Sequence, residues 1–255
     1  RSECYHVDDF DENISVKVNA TELLRKELSK KYKKETIGFG AMSDPYIPIE
    51  KDYKLTRQAL EIINEFHHPV SILTKSDLVL RDLDILVDIN NRNYACVAFT
   101  ITTTDDELAK IIEPDAPLPS ARLKAMKILS TMGIKTGIVI MPMLPFILDN
   151  EENIKKLVQD AYENGASFIF PSYSVTLRDR QREYYYQKLD KYFPGLRDKY
   201  EKRFKNSYIC GIDKYSKIKE ILISEIKKYN LSTNMPSYDH ENIIQQLNIF
   251  DIIDR

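Results

Sequence analysis

Residues 37–57, IGFGAMSDPYIPIEKDYKLTR, decide the fold. The apolar start, residues 37–41, ends abruptly at Ser43-Asp44-Pro45, and no helical pattern resumes until about Leu55. This is how a buried strand reads when it delivers polar groups to its C-terminal end and is followed by an ordered turn and a helix. The run Val70-Ser71-Ile72-Leu73-Thr74-Lys75-Ser76-Asp77 ends the same way. Open α/β sheets and α/β barrels bind ligands at that edge. Two strands ending in SDP and TKSD therefore predict one pocket built from successive strand ends.

Outward from this stretch the chain alternates strand and helix. Strands are expected at residues 36–41, 70–74, 94–100, 135–141 and 167–171, and helices at 21–33, 55–66, 77–90, 105–112, 120–132 and 151–164. That is the pattern of βαβ units around a parallel sheet. YACVAFT, residues 94–100, is apolar throughout, as a strand covered on both faces should be. Asn19 or Thr21 and Ser120 are the expected helix caps, and Gly133 and Gly165 the stops. After Tyr173 the composition changes. Residues 178–205 are dense in Arg, Lys and Tyr and read as two helices broken at Phe193-Pro194-Gly195. Further helices are expected at 218–229 and 242–253. We divide the chain into a barrel-like unit, 1–175, and a C-terminal helical extension packed on it, 176–255.

Composition narrows the function classes. The 255 residues are 43% hydrophobic, enough for a sizeable core, and 30% charged with a net charge of −2. That balance carries no global basic signature for nucleic acid, so any such contact must be a local patch. No apolar run approaches the ~18 residues of a membrane span. Three dispersed cysteines fit a reducing compartment and a cytoplasmic location. Neither GxGxxG nor GxxxxGK[ST] occurs, and the four histidines show no ligand spacing, so no residue is read as a metal ligand.

Taken with Glu113-Pro114-Asp115-Ala116-Pro117, Arg122, Met141-Pro142-Met143-Leu144-Pro145 and Thr176-Leu177-Arg178-Asp179, the two strand-end blocks resemble the radical S-adenosylmethionine (SAM) superfamily. The branch is that of spore photoproduct lyase and the "DNA repair photolyase"-like proteins. The resemblance runs from about Val16 to Tyr208. It implies an α/β fold, a partial (β/α)6 TIM-like barrel. It also implies SAM and a [4Fe–4S] cluster as cofactors and a reductant such as flavodoxin or ferredoxin; the substrate stays unknown, with nucleic acid the family-level candidate. An open doubly wound sheet is the structural alternative.

The resemblance assigns SAM to Ser43, Asp44, Lys75, Thr100, Thr102, Arg122 and Met141. Each residue also has a plainer reading. Asp44 can hydrogen-bond backbone N–H groups of its own turn. Lys75 can meet a ligand carboxylate, or pair with Asp77, Asp82 or Glu113, because burial makes an unpaired cation costly. Alternating threonines such as Thr100 and Thr102 are ordinary strand composition. Arg122 suits a SAM carboxylate or a structural pair with Glu113. Met141, beside Pro142, suits adenine or core. No catalytic residue is assigned.

Two departures qualify the resemblance. The family holds its cluster on CxxxCxxC, whereas this chain has only Cys4, Cys96 and Cys210. In relatives a run like Arg1-Ser2-Glu3-Cys4-Tyr5 follows the last cluster cysteine. The expectation is that the cluster loop and first barrel strand precede residue 1. Met42 stands where spore photoproduct lyase has a hydrogen-donating cysteine, and a thioether has no S–H to give. That argues against the same repair by the same route. A cluster-free barrel binding a nucleotide or small molecule, and an interaction module docking through the Tyr-rich helices, are the competing readings.

Overall fold

A computed structural model describes residues 14–31, 33–236 and 238. The expected helix at 242–253 and the placement of Cys4 lie outside the described residues. Five parallel strands form one sheet: β1 (Ile37–Phe39), β2 (Val70–Thr74), β3 (Ala95–Thr100), β4 (Lys135–Ile140) and β5 (Phe168–Pro171). They lie side by side in chain order, β1-β2-β3-β4-β5. A doubly wound sheet reverses its strand order at a switch point; here nothing reverses. Right-handed crossovers in constant order place the helices on one face. The result is a partial barrel, its sheet not closed among the described residues.

The connecting helices are α1 (Ala20–Leu28), α2 (Glu50–Tyr53), α3 (Leu55–Glu65), α4 (Leu83–Arg92), α5 (Asp106–Ile112), α6 (Pro119–Thr131) and α7 (Glu151–Glu163). β3 shows how the sheet divides the core. Ala95, Val97 and Phe99 join the large helix-side core, while Cys96 and Ala98 face a separate inner cluster with Val139 and Phe168. All six β3 residues are buried. Burial of Val97 and Phe99 contributes about 1.5–3 kcal/mol each.

Several local expectations are corrected. The turn after Pro45 contains the short helix α2, stabilised because the buried Glu50 carboxylate accepts from Leu55 N–H and Thr56 N–H at the start of α3, both at 3.0 Å. The stretch at 77–90 begins as a 3₁₀ helix, Asp77–Asp82, before α4. Ser120 does not cap α6, which starts on Pro119. Its hydroxyl instead donates to Asp106 at 2.6 Å, joining α5 to α6 across the proline loop.

Beyond β5 come β6 (Ser174–Thr176), α8 (Asp179–Tyr192), α9 (Leu196–Phe204), β7 (Ile209–Gly211) and α10 (Tyr215–Lys228). β6 and β7 pair antiparallel, a small sheet the sequence did not reveal because each strand has only three residues. Tyr186 and Tyr200 are buried, and the Tyr200 hydroxyl donates to Pro145 O at 2.9 Å. These tyrosines attach the extension to the loop after β4. Tyr184 and Tyr192 stay exposed, with Lys188 and Lys191 over their rings. No helix among the described residues is long and apolar enough to cross a membrane.

Candidate functional site

The C-terminal edge of the sheet is built around one carboxylate. Gly40 ends β1 with φ +91°. A side chain there would meet the Leu73 carbonyl of β2, so only glycine allows the two strand ends to lie this close. The chain then turns, and Asp44 returns to β2. Its Oδ1 accepts from the Thr74 hydroxyl at 2.7 Å and from Tyr46 N–H at 2.9 Å; its Oδ2 accepts from Lys75 N–H at 2.6 Å. The turn reading of Asp44 is thus realised and extended, since the same side chain staples β1 to β2.

Lys75 follows β2 directly. Its Nζ donates to Glu113 Oε1 at 2.7 Å. The other carboxylate oxygen, Oε2, lies 2.8 Å from Arg122 NH2. That nitrogen makes no hydrogen bond of good geometry, so charge holds the pair. Arg122 is 1% exposed. It donates through Nε to Pro117 O at 2.7 Å and through NH1 to Thr100 O at 2.8 Å. Of the two partners open for Arg122, the structure contains Glu113. The guanidinium ties α6, the proline loop and the end of β3 together.

Burial pushes the Glu113 carboxyl up, and the neighbouring Lys75 and Arg122 charges more than offset it. Its pKa ends below the ordinary value of 4.5. A depressed carboxylate contributes stability that is complete above the unfolded value and is lost as pH falls through the folded one. The stability difference between wild type and Glu113→Gln should therefore be constant from pH 7 down to about 4.5 and shrink below it. Urea denaturation across that range checks this; a difference that grows on acidification would contradict the network.

A cleft of about 1090 Å³ opens beside this edge. Asp44, Lys75 and Glu113 line it, with Tyr46, Lys51, Arg81 and the proline loop. Ser43, Thr100, Thr102, Arg122 and Met141 do not line it. Ser43 is exposed. Thr100 and Thr102 are buried, and Thr102 O accepts from Asn153 at 3.0 Å. Met141 is 44% exposed just past β4, and Met42 is 94% exposed. The expected single pocket is therefore resolved into a cleft at β1 and β2 and a rim along β3 and β4.

Sequence reasoning missed the base of the cleft. Arg81 donates to Glu50 Oε1 and to both Asp82 oxygens, each at 2.8 Å, and its guanidinium stacks over Tyr46. Arg57 joins Asp82 and Asp84. Glu50 and Arg81 are 31 residues apart, and no local spacing signals such a pair.

Three solved structures of spore photoproduct lyase share this architecture. For one mutant, with bound AdoMet and dinucleoside spore photoproduct, the TM-score is 0.62 at 16% identity, over 85% of this chain and 65% of that one. Among sequences, an uncharacterized protein of Mycobacterium tuberculosis is 27% identical over 225 residues. A protein of Pseudomonas phage M6 named radical SAM Nalpha-GlyT isomerase is 29% identical over 140 residues, covering 54% of this chain and 28% of its own length. The resemblance is to the radical SAM superfamily, with the fold of spore photoproduct lyase. An uncharacterized protein of Methanocaldococcus jannaschii is 40% identical over 138 residues, 54% of this chain and half of that protein. No family model matches the chain. The chain spans 66% of the mycobacterial relative's length and 65% of the solved spore photoproduct lyase.

The resemblance implies two cofactors, and the described residues fit them differently. Cys96 and Cys210 are buried in β3 and β7, and no group of three His, Cys, Asp or Glu among the described residues could hold a metal. The described residues therefore do not supply a cluster site. They do fit the amino-acid part of SAM. A zwitterion needs an acceptor for its ammonium and a donor for its carboxylate. Asp44 Oδ2 accepts one bond, and Lys75 Nζ makes one of three.

Proposed function

We propose that the chain is the SAM-binding part of a radical SAM enzyme. The observation that carries this reading is the adjacency of opposite charges at the sheet's C-terminal edge. The Asp44 carboxylate is held by the backbone N–H of Lys75 itself, and both side chains face one cleft. In this reading Asp44, with Ser43, receives the ammonium of SAM and Lys75 its carboxylate. Thr100 and Thr102 supply groups from the end of β3, and Met141 supplies apolar contact. Arg122 acts from behind, by holding Thr100 and Glu113 in place. When bound together with a reduced [4Fe–4S] cluster, SAM held by these residues would supply radical hydrogen abstraction. The described residues supply no thiolate set for such a cluster. On the side of β1 away from β2 no strand pairs among the described residues, so an additional strand has an edge to join there.

A nucleic-acid substrate and a flavodoxin- or ferredoxin-like reductant complete the proposal at the level of the resemblance. Met42, a thioether, speaks against hydrogen return by the route of spore photoproduct lyase. Calorimetry tests the binding half. SAM should bind the wild-type chain, and Lys75→Ala or Asp44→Asn should weaken it at least tenfold, as for loss of a charge-assisted bond worth about 1.5–3 kcal/mol. Protein from the full gene, reconstituted anaerobically, should show [4Fe–4S] absorption and dithionite-dependent SAM cleavage. No binding heat with wild type, together with a full gene that lacks CxxxCxxC, would overturn the reading.

A further inference from the structure

No helix among the described residues packs on the inner-face cluster of Cys96, Ala98, Val139 and Phe168, yet that cluster is dry. Alternation along the strands puts Ser71, Leu73, Cys96, Ala98, Thr100, Val139, Phe168 and Phe170 on that face. Cys96, Ala98 and Phe168 on it are fully buried, Ser71 and Leu73 of β2 are half-buried, and Phe170 on the edge strand is 42% exposed. An uncovered sheet face would leave Cys96 and Phe168 wet.

The cover comes from the short segment after α10. Ser232 bridges Phe168 in parallel, its N–H donating to Ser167 O at 3.0 Å and its carbonyl accepting from Ile169 N–H at 2.8 Å. These two bonds occupy the free edge of β5. The segment then leaves that edge and crosses the sheet. Met235 packs on the Cys96, Ala98, Val139 and Phe168 cluster, with its sulfur 3.8 Å from the Ser71 hydroxyl on β2. Pro236 O accepts from the Tyr94 hydroxyl at 2.7 Å, at the start of β3. One run of chain thus touches β5, β3 and β2 at the same end of the half-barrel.

We propose that residues 230–236 are a strap that closes the N-terminal mouth of the half-barrel, leaving its inner face reachable only from the C-terminal rim. Past Leu231, which packs on the helix-side core, the strap meets the sheet among the described residues through the Ser232 bridge, the Met235 side chain and the Tyr94 hydroxyl. With that end covered, water reaches the inner face from the end that carries Thr100 and Met141, whichever ligand the rim binds. A covered floor suits chemistry that water would quench.

Cys96 lies under the strap and reports on it. In the full chain with Cys4→Ser and Cys210→Ser, Cys96 is the single thiol. Its modification by a thiol reagent is then timed. Tyr94→Phe with Met235→Ala should raise the rate at least tenfold in the absence of denaturant. Met235→Ala alone, which leaves the Tyr94 hydroxyl beside Cys96 in place, should raise it severalfold and serves if the double variant does not fold. Leu60→Val, in the helix-side core of α3, is the control for general destabilisation. Its rate should rise only as far as its urea midpoint falls. If the strap variants leave the rate unchanged, or raise it no more than a control of equal midpoint, the floor is sealed by something else and the proposal fails.

Discussion

Gly40→Ala should destabilise the protein by on the order of 4 kcal/mol, a large part of the stability of an ordinary domain. Two costs coincide at this position. The residue has φ +91°, a region L side chains rarely occupy, and its Cβ would lie 2.0 Å from the Leu73 carbonyl oxygen. That obstacle is backbone in a paired strand and cannot step aside. To relieve the contact β1 must separate from β2, which also pulls Asp44 off Thr74 and Lys75. Gly195 separates the two costs. It has φ +80° with nothing within 4 Å of a Cβ, so Gly195→Ala should cost only about 1–2 kcal/mol, the backbone term alone. Urea denaturation of both variants checks the comparison. Equal losses would mean that the close approach of β1 to β2 carries no weight.

The second large effect is expected at Arg122. Arg122→Met retains much of the buried stem and removes the guanidinium. The loss should be about 3–5 kcal/mol, as for a broken buried ion pair. Thr100 O and Pro117 O lose their donors, and Glu113 keeps only Lys75. Lys75→Met should cost about 1 kcal/mol or less, because its side chain is 37% exposed and water takes over part of the interaction. Adding Glu113→Gln to Arg122→Met should recover part of the loss by removing the stranded charge. If the two single substitutions prove equally mild, Arg122 does not organise the edge. If Arg122→Met weakens SAM binding while leaving the urea midpoint unchanged, Arg122 contacts the ligand directly.

Much of the framework was legible in the sequence. Strands β2 through β5 fall where apolar runs end in polar residues or proline, because a strand buried on both faces has no polar position to spare. The helix starting at Leu55 and the stops at Gly133 and Gly165 follow from local backbone chemistry. The break at Phe193-Pro194-Gly195 does too, separating α8 from α9. The cap at Ser120 was misread because its hydroxyl serves Asp106, and sequence order does not show which carboxylate a loop brings near. The short strands β6 and β7 carry too little periodicity to be seen.

For the site, residue types were readable and partners were not. Lys75 had three candidate carboxylates within reach by sequence, and the fold selected Glu113, 38 residues away. The Arg81, Glu50 and Asp82 cluster beneath the cleft had no sequence signal at all.

What the sequence determined by itself is the alternation of strand and helix and the set of polar groups at each strand's end. Those depend on side-chain periodicity and backbone preference, which are local. Only the tertiary structure decided that the strands run in unbroken order and that Lys75, Glu113 and Arg122 share charge. It alone showed that Met235 packs on the inner face of the sheet. Such pairings join residues distant in sequence, and their energies come from burial and charge in a space that exists only once the chain has folded.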